Sequence, residues 1–167
     1  FAMCLRSMRE RLGARPVPVQ LPVGAGETFI GIVNLINLKA YQWDAATLGE
    51  EYREIPIPPD MEHEVEQARE ALLDVASEFD DELLRLLLDG HKPSEDIVRR
   101  AIRHGTLSHK IVPVVCGAAF KNVGVQTLLD AVVDYLPSPL DIPPVVGKHP
   151  DTDEAVSRPP SDKAPLS

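Results

Sequence analysis

Residues 110–124 read KIVPVVCGAAFKNVG, and the reading of this stretch decides the fold. Ile111, Val112, Val114 and Val115 form an apolar run without polar alternation, as a strand buried on both faces requires; a buried piece of helix would show the same run. The β-branched content and Pro113 favour the strand. Downstream, Val125, Leu128, Leu129, Val132, Val133 and Leu136 recur at helical spacing, so the stretch reads as strand, tight loop, helix. In open α/β sheets that is where ligands bind. Gly117, Ala118 and Ala119 are small enough to let backbone N–H groups approach a planar ligand or an anion, although sheet–helix packing alone also favours small residues there.

Working outward, PVPVQLPV, FIGIVNLI and LKAYQW (residues 16–43) are short β-rich runs with GAGE as the hairpin turn between the first two, which predicts a small antiparallel sheet. EYREIPI alternates two faces and adds an edge strand closed by Pro58 and Pro59. In residues 60–78, Val65, Ala68, Leu72, Val75, Ala76 and Phe79 form the apolar stripe of a helix, while Glu62, Glu66, Glu70, Asp74 and Glu78 repeat every fourth residue as a carboxylate ridge. Asp80 and Asp81 open a short helix through Leu88. Ser94 caps a third helix, expected to end at Gly105. Residues 1–13 place Phe1, Leu5, Met8 and Leu12 on one helical face and stop at Gly13, a suitable C-terminal cap. The run from Pro137 onward has the proline density of an extended linker.

The chain of 167 residues is long enough for one core or two small ones, and its 44% hydrophobic content is that of a globular protein. No apolar stretch is long enough to span a bilayer and no signal peptide is visible, which favours an intracellular, non-membrane protein. Cys4 and Cys116 are the only cysteines, each read as lying on a buried apolar face, so a disulfide framework is not expected. His63, His91, His104, His109 and His149 are scattered without metal-ligand spacing, and no nucleophile–base arrangement stands out. The net charge is −9, yet residues 44–96 carry 17 Asp and Glu against 4 Lys and Arg. Such a segment repels phosphate backbones and attracts basic partners, which argues against direct nucleic-acid binding. A solubilising helix face fits the same pattern.

The strings RLGARPVPVQLPVG, FIGIVNLI, VVCGAAFKNVGVQTLLDAVVDYLPSPLD and the tail up to APLS resemble the elongation factor G family of translational GTPases along nearly the whole chain. The resemblance implies an α/β fold with an α+β insert: the last strand and flanking helices of a P-loop GTPase domain, plus an inserted small antiparallel sheet packed with helices. It implies a GTPase-domain helix at 1–14, the insert called G prime at 15–108, and the last strand, guanine loop and final helix at 109–137. Residues 138–167 would lead toward a second domain. Ala118, Ala119 and Phe120 would form the guanine-binding loop. Alanine stands at 118 where the family usually has serine, so a backbone contact to the base survives but a bracing hydroxyl does not. Glu62, Glu66, Glu70, Asp74, Glu78, Asp81 and Glu82 would dock the C-terminal domain of the ribosomal stalk protein. GTP or GDP with Mg²⁺ would be the cofactor of the full-length parent, the ribosome its partner, and the cytoplasm its location, with an organellar homologue as the alternative.

No G-x-x-x-x-G-K-[ST], D-x-x-G or N-K-x-D occurs in these residues, so the chain by itself is expected neither to bind the nucleotide nor to hydrolyse GTP. Phe1 is not a start residue, and the chain reads as a piece of a larger protein. Two other readings stand beside this one: a stand-alone acidic module that binds a basic partner, and a small α/β enzyme built on the GAAFKN loop.

Overall fold

The computed structural model describes residues 1–149 and 151–160. They fall into two compact units, Phe1–Leu136 and a second that begins at Pro137.

In the first unit, helix α1 (Ala2–Leu12) ends at Gly13 in the left-handed conformation, as its sequence predicts. None of its residues is buried, and Leu12 is 74% exposed. The run PVPVQLPV then divides, contrary to the reading of one antiparallel strand. Strand β1 (Pro16–Pro18) pairs in parallel with β6 (Val112–Val114), whereas β2 (Gln20–Val23) pairs antiparallel with β3 (Gly31–Asn34). Val19 is the switch: its N–H donates to Val114 and its carbonyl accepts from Leu35. Residues 24–30 connect β2 to β3 through a 3₁₀ turn, a longer connection than a GAGE hairpin. The sheet continues through β4 (Lys39–Trp43) to the edge strand β5 (Tyr52–Ile55), in the order β2-β3-β4-β5.

Three helices cover this sheet: α2 (Glu62–Ser77), α3 (Asp81–Leu88) and α4 (Glu95–Leu107). Their stripes meet the sheet in one core, where Val33, Leu35, Leu72, Leu83, Val98 and Ile102 are fully enclosed. Fully burying such a side chain is worth about 1.5–3 kcal/mol, so this cluster is the main source of the unit's stability. Asp80 caps α3 by accepting from the N–H groups of Glu82 and Leu83. Gly105 does not end α4. It is buried inside the last turn, where an added Cβ would lie 2.7 Å from Ile111 Cδ1 and 2.8 Å from Phe79 Cδ2. The glycine is there for close approach.

Strand β6 differs from the expectation of burial on both faces. Ile111 is buried, but Val112 is 42% exposed and Val114 half-buried, because β1 is the only strand paired with it among the described residues. Helix α5 (Val125–Tyr135) follows; of its side chains only Tyr135 is buried. The cysteine reading is also corrected: Cys4 is exposed and Cys116 only partly buried.

In the second unit, a short 3₁₀ turn at Pro139–Asp141 precedes a hairpin of β7 (Val145–Lys148) and β8 (Ala155–Arg158), where an extended linker was expected. Of the tail quoted in the sequence reading, residues 150 and 161–167 lie outside the described residues. No described helix is long and apolar enough to cross a membrane.

Candidate functional site

The loop after β6 is held at its start by Gln20, whose Oε1 accepts from the Cys116 N–H at 3.3 Å. Ala118 and Val123 then pair antiparallel, Ala118 N–H to Val123 O at 2.9 Å and Val123 N–H to Ala118 O at 3.2 Å. Between them Ala119–Lys121 forms a 3₁₀ turn, closed by Lys121 and Asn122 donating to Ala118 and Ala119. This pattern leaves the N–H groups of Ala119 and Phe120, at the start of the turn, without a partner in the loop. The small residues have a geometric cause. A Cβ on Gly117 would come within 2.9 Å of Val123 O, and one on Gly124, at φ +80°, within 2.7 Å of Cys116 O. The two limbs of the loop lie too close for larger side chains.

Of the three predicted guanine-facing residues, Ala118 is half-buried, Ala119 is exposed and Phe120 stands fully in solvent. They are contiguous on one turn, flanked by a depression of about 360 Å³ bordered by Pro22, Ala25, Phe29 and Cys116 and another of about 210 Å³ bordered by Val115, Val125 and Leu128. Burial pushes the Cys116 thiol up to about 12, so it is neutral and unreactive beside this loop. Among the described residues no group of His, Cys, Asp and Glu could hold a metal ion.

The carboxylate row is divided by the fold. Glu62, Glu66, Glu70 and Asp74 are exposed and form no ion pair among the described residues. Glu78 is taken by Arg15 in a two-pronged contact at 2.5 and 2.8 Å, which holds its carboxyl below the usual range. Arg100 takes Asp80 at 2.7 Å and Glu82 at 2.6 Å. The first four members of the row thus stay unneutralised, whereas Glu78, and Asp80 and Glu82 just beyond the row, are paired by arginines from other segments of the chain. Asp81 remains exposed.

Residues that the sequence reading passed over link the loop to the antiparallel sheet. Asn122 Nδ2 donates to Leu48 O at 2.8 Å and Lys121 Nζ to Glu27 O at 3.2 Å. Gln126 Oε1 accepts from the Trp43 indole at 3.0 Å, while its Nε2 donates to Gly49 O at 3.2 Å and Glu50 O at 3.3 Å. Lys121 and Asn122 are visible in the motif GAAFKN, but nothing in the sequence marks their acceptors.

No protein-family model matches the chain. Elongation factor G of Rhodopseudomonas palustris (strain BisB18) is 45% identical over 167 residues, which are 100% of this chain and 24% of that protein. A solved chain from Thermus thermophilus superposes with a TM-score of 0.71 at 25% identity, covering 93% of this chain and 24% of the other. The chain thus spans about a quarter of the length of the relatives it matches.

Proposed function

The chain is homologous along its whole length to one segment of elongation factor G, and from this premise we propose that it serves the GTP-dependent translocation of tRNA and mRNA on the ribosome as part of such a factor. The observation that carries this is an alignment that spans all 167 residues at 45% identity. In this reading residues 1–14 and 109–137 are parts of the GTPase domain, residues 15–108 are its G prime insert and residues 138–167 lead onward. Phosphates and Mg²⁺ are held by residues outside these 167, because no P-loop occurs in them. What this segment supplies is the edge of the guanine site: the leftover N–H groups of Ala119 and Phe120 donate to the base, and Ala118 closes the loop beneath it. A donor fixed in a closed loop costs little to order on binding, which favours this use of the turn.

The second contribution is docking. Glu62, Glu66, Glu70 and Asp74, exposed on α2, with Asp81 on α3, present a negative face to a basic partner, for which the C-terminal domain of the ribosomal stalk protein is the candidate. Glu78 and Glu82 contribute less, being neutralised by Arg15 and Arg100. Like charges at i,i+4 cost a helix about 0.2–0.5 kcal/mol per pair, so the row weakens α2 in exchange for a field that steers association. The test is charge reversal of Glu66, Glu70 and Asp74 in the full-length factor, with stalk-domain association and ribosome-stimulated GTP hydrolysis measured at two salt concentrations. Association slows at low salt and the difference shrinks at high salt, where the Debye length falls below about 8 Å. Unchanged association at low salt removes the docking role. Absence of ribosome-stimulated hydrolysis in the unmutated factor removes the translocase reading itself.

A further inference from the structure

The loop of residues 117–124 closes on itself through the Ala118–Val123 pair, so the contacts it makes to the antiparallel sheet are not needed to shape it. Those contacts instead fix where it sits. Lys121, Asn122 and Gln126 reach backbone carbonyls 74 to 95 residues earlier in the chain, in the connection from β2 to β3 and in that from β4 to β5. The β4–β5 connection can approach because its residue 49 is glycine. A Cβ there would lie 2.5 Å from Lys121 O and 2.7 Å from Asn122 Cβ. Gln126 adds direction: one end of its amide accepts from Trp43, a sheet residue only 5% exposed, and the other donates to Gly49 and Glu50. An amide whose donor and acceptor ends are both engaged cannot slide without breaking one of them.

We propose that Asn122 and Gln126 are positioning residues that set the loop's register on the antiparallel sheet, so that the hold on the guanine base follows displacements of that sheet. The inference rests on the reading of Ala119 and Phe120 as guanine-facing donors. Neither Asn122 nor Gln126 touches the base in this arrangement; both act through the place of the turn.

The experiment measures GDP release from the full-length factor, using a fluorescent GDP, for Asn122→Ala and Gln126→Ala. Ala119→Pro is the reference. Ala118 is extended (φ −131°, ψ 95°), near the region a residue before proline prefers, and residue 119 opens the turn, so proline there removes an N–H that no turn hydrogen bond uses. Asn122→Ala and Gln126→Ala should speed GDP release roughly three- to tenfold, the size expected for a weakened charge-neutral hydrogen bond. A diphosphate of 2-aminopurine riboside, which lacks the oxygen at position 6, should leave wild type and variants at equal rates, whereas a general loss of folding would speed both nucleotides. If Ala119→Pro speeds release and the Asn122 and Gln126 variants do not, the positioning role is overturned. If Ala119→Pro leaves release unchanged, the guanine-facing reading falls and the inference falls with it.

Discussion

Asp80 is the residue on which helix capping and ion pairing meet. Its side chain is 5% exposed, it accepts from two N–H groups at the start of α3, and Arg100 from α4 donates to both of its oxygens. The Arg100 contact, helped by the backbone donors, holds the carboxyl below its ordinary range against the opposing effect of burial. A carboxylate with a depressed value in the folded state contributes stability above its unfolded pKa of about 3.9, and that contribution is lost as pH falls through the lower folded value. Asp80→Asn keeps an acceptor for the cap but loses the charge, at a cost of about 1 kcal/mol near pH 7; Asp80→Ala loses both, at about 2–3 kcal/mol. Urea unfolding should show the wild-type advantage over Asp80→Asn constant between about pH 5 and 7 and closing below about pH 4. An advantage that persists undiminished at pH 2 would show that the carboxylate charge is not its source. The cysteines give a second residue-scale outcome. Iodoacetamide near neutral pH should label exposed Cys4 readily and Cys116 far more slowly, because partial burial pushes the Cys116 thiol up to about 12 and keeps it neutral.

At the scale of elements, α4 shows what periodicity reveals and what it conceals. Val65, Leu72 and Ala76 announced the buried face of α2, since an amphipathic helix writes its burial into the spacing of its own residues; Val98, Ala101 and Ile102 bury α4 at the same spacing, though only the ends of that helix were predicted. Gly105 was read as a stop because glycine commonly follows a helix, but its role is set by Ile111 and Phe79, which arrive from elsewhere in the chain. The division of residues 16–23 was hidden for a similar reason. Val17, Val19, Leu21 and Val23 alternate without interruption while the strand changes partners at Val19, and pairing partners are not encoded in alternation. The links from Asn122 and Gln126 were illegible altogether, since their acceptors are main-chain carbonyls that any sequence provides. The close approach at GAAFKN, by contrast, was legible as a run of contiguous small residues after a strand, a pattern that sheet–helix packing alone also favours. Gly105→Ala tests the element-scale account. Alanine in an ordinary helix interior stabilises by about 1 kcal/mol relative to glycine, whereas here the crowding should reverse the sign and cost about 1–2 kcal/mol in thermal or urea unfolding. A stabilised variant would mean that Ile111 and Phe79 yield freely.

For the whole molecule, the distribution of burial in Phe1–Leu136 predicts uneven stability. Most of the enclosed side chains belong to the antiparallel sheet and to α2, α3 and α4, with Val17 and Ile111 added beside the β1–β6 pair, whereas α1 buries none and α5 buries only Tyr135. Helix α5 is still tied down at both ends, by Gln126 to the sheet and by Arg103 of α4, which donates to the carbonyls of Asp134 and Leu136. Helix α1 has no comparable tether from its side chains among the described contacts. Leu129 and Val133 of α5, at 60% and 77% exposed, and Met3 and Leu12 of α1, at 78% and 74%, leave apolar surface to water. Two consequences can be measured on the 167-residue chain. Amide hydrogen exchange should be fastest in α1, intermediate in α5 and slowest in α2 and α4, because local opening is easiest where least apolar surface is buried. Sedimentation should show self-association that increases with salt, since the net charge of −9 keeps copies apart until it is screened, while apolar contact is not weakened by screening. The two measurements check one another. If α1 and α5 are as protected as α4 under conditions where the chain is monomeric, they have found a partner surface within the same molecule, and the account of an unevenly supported fold is wrong.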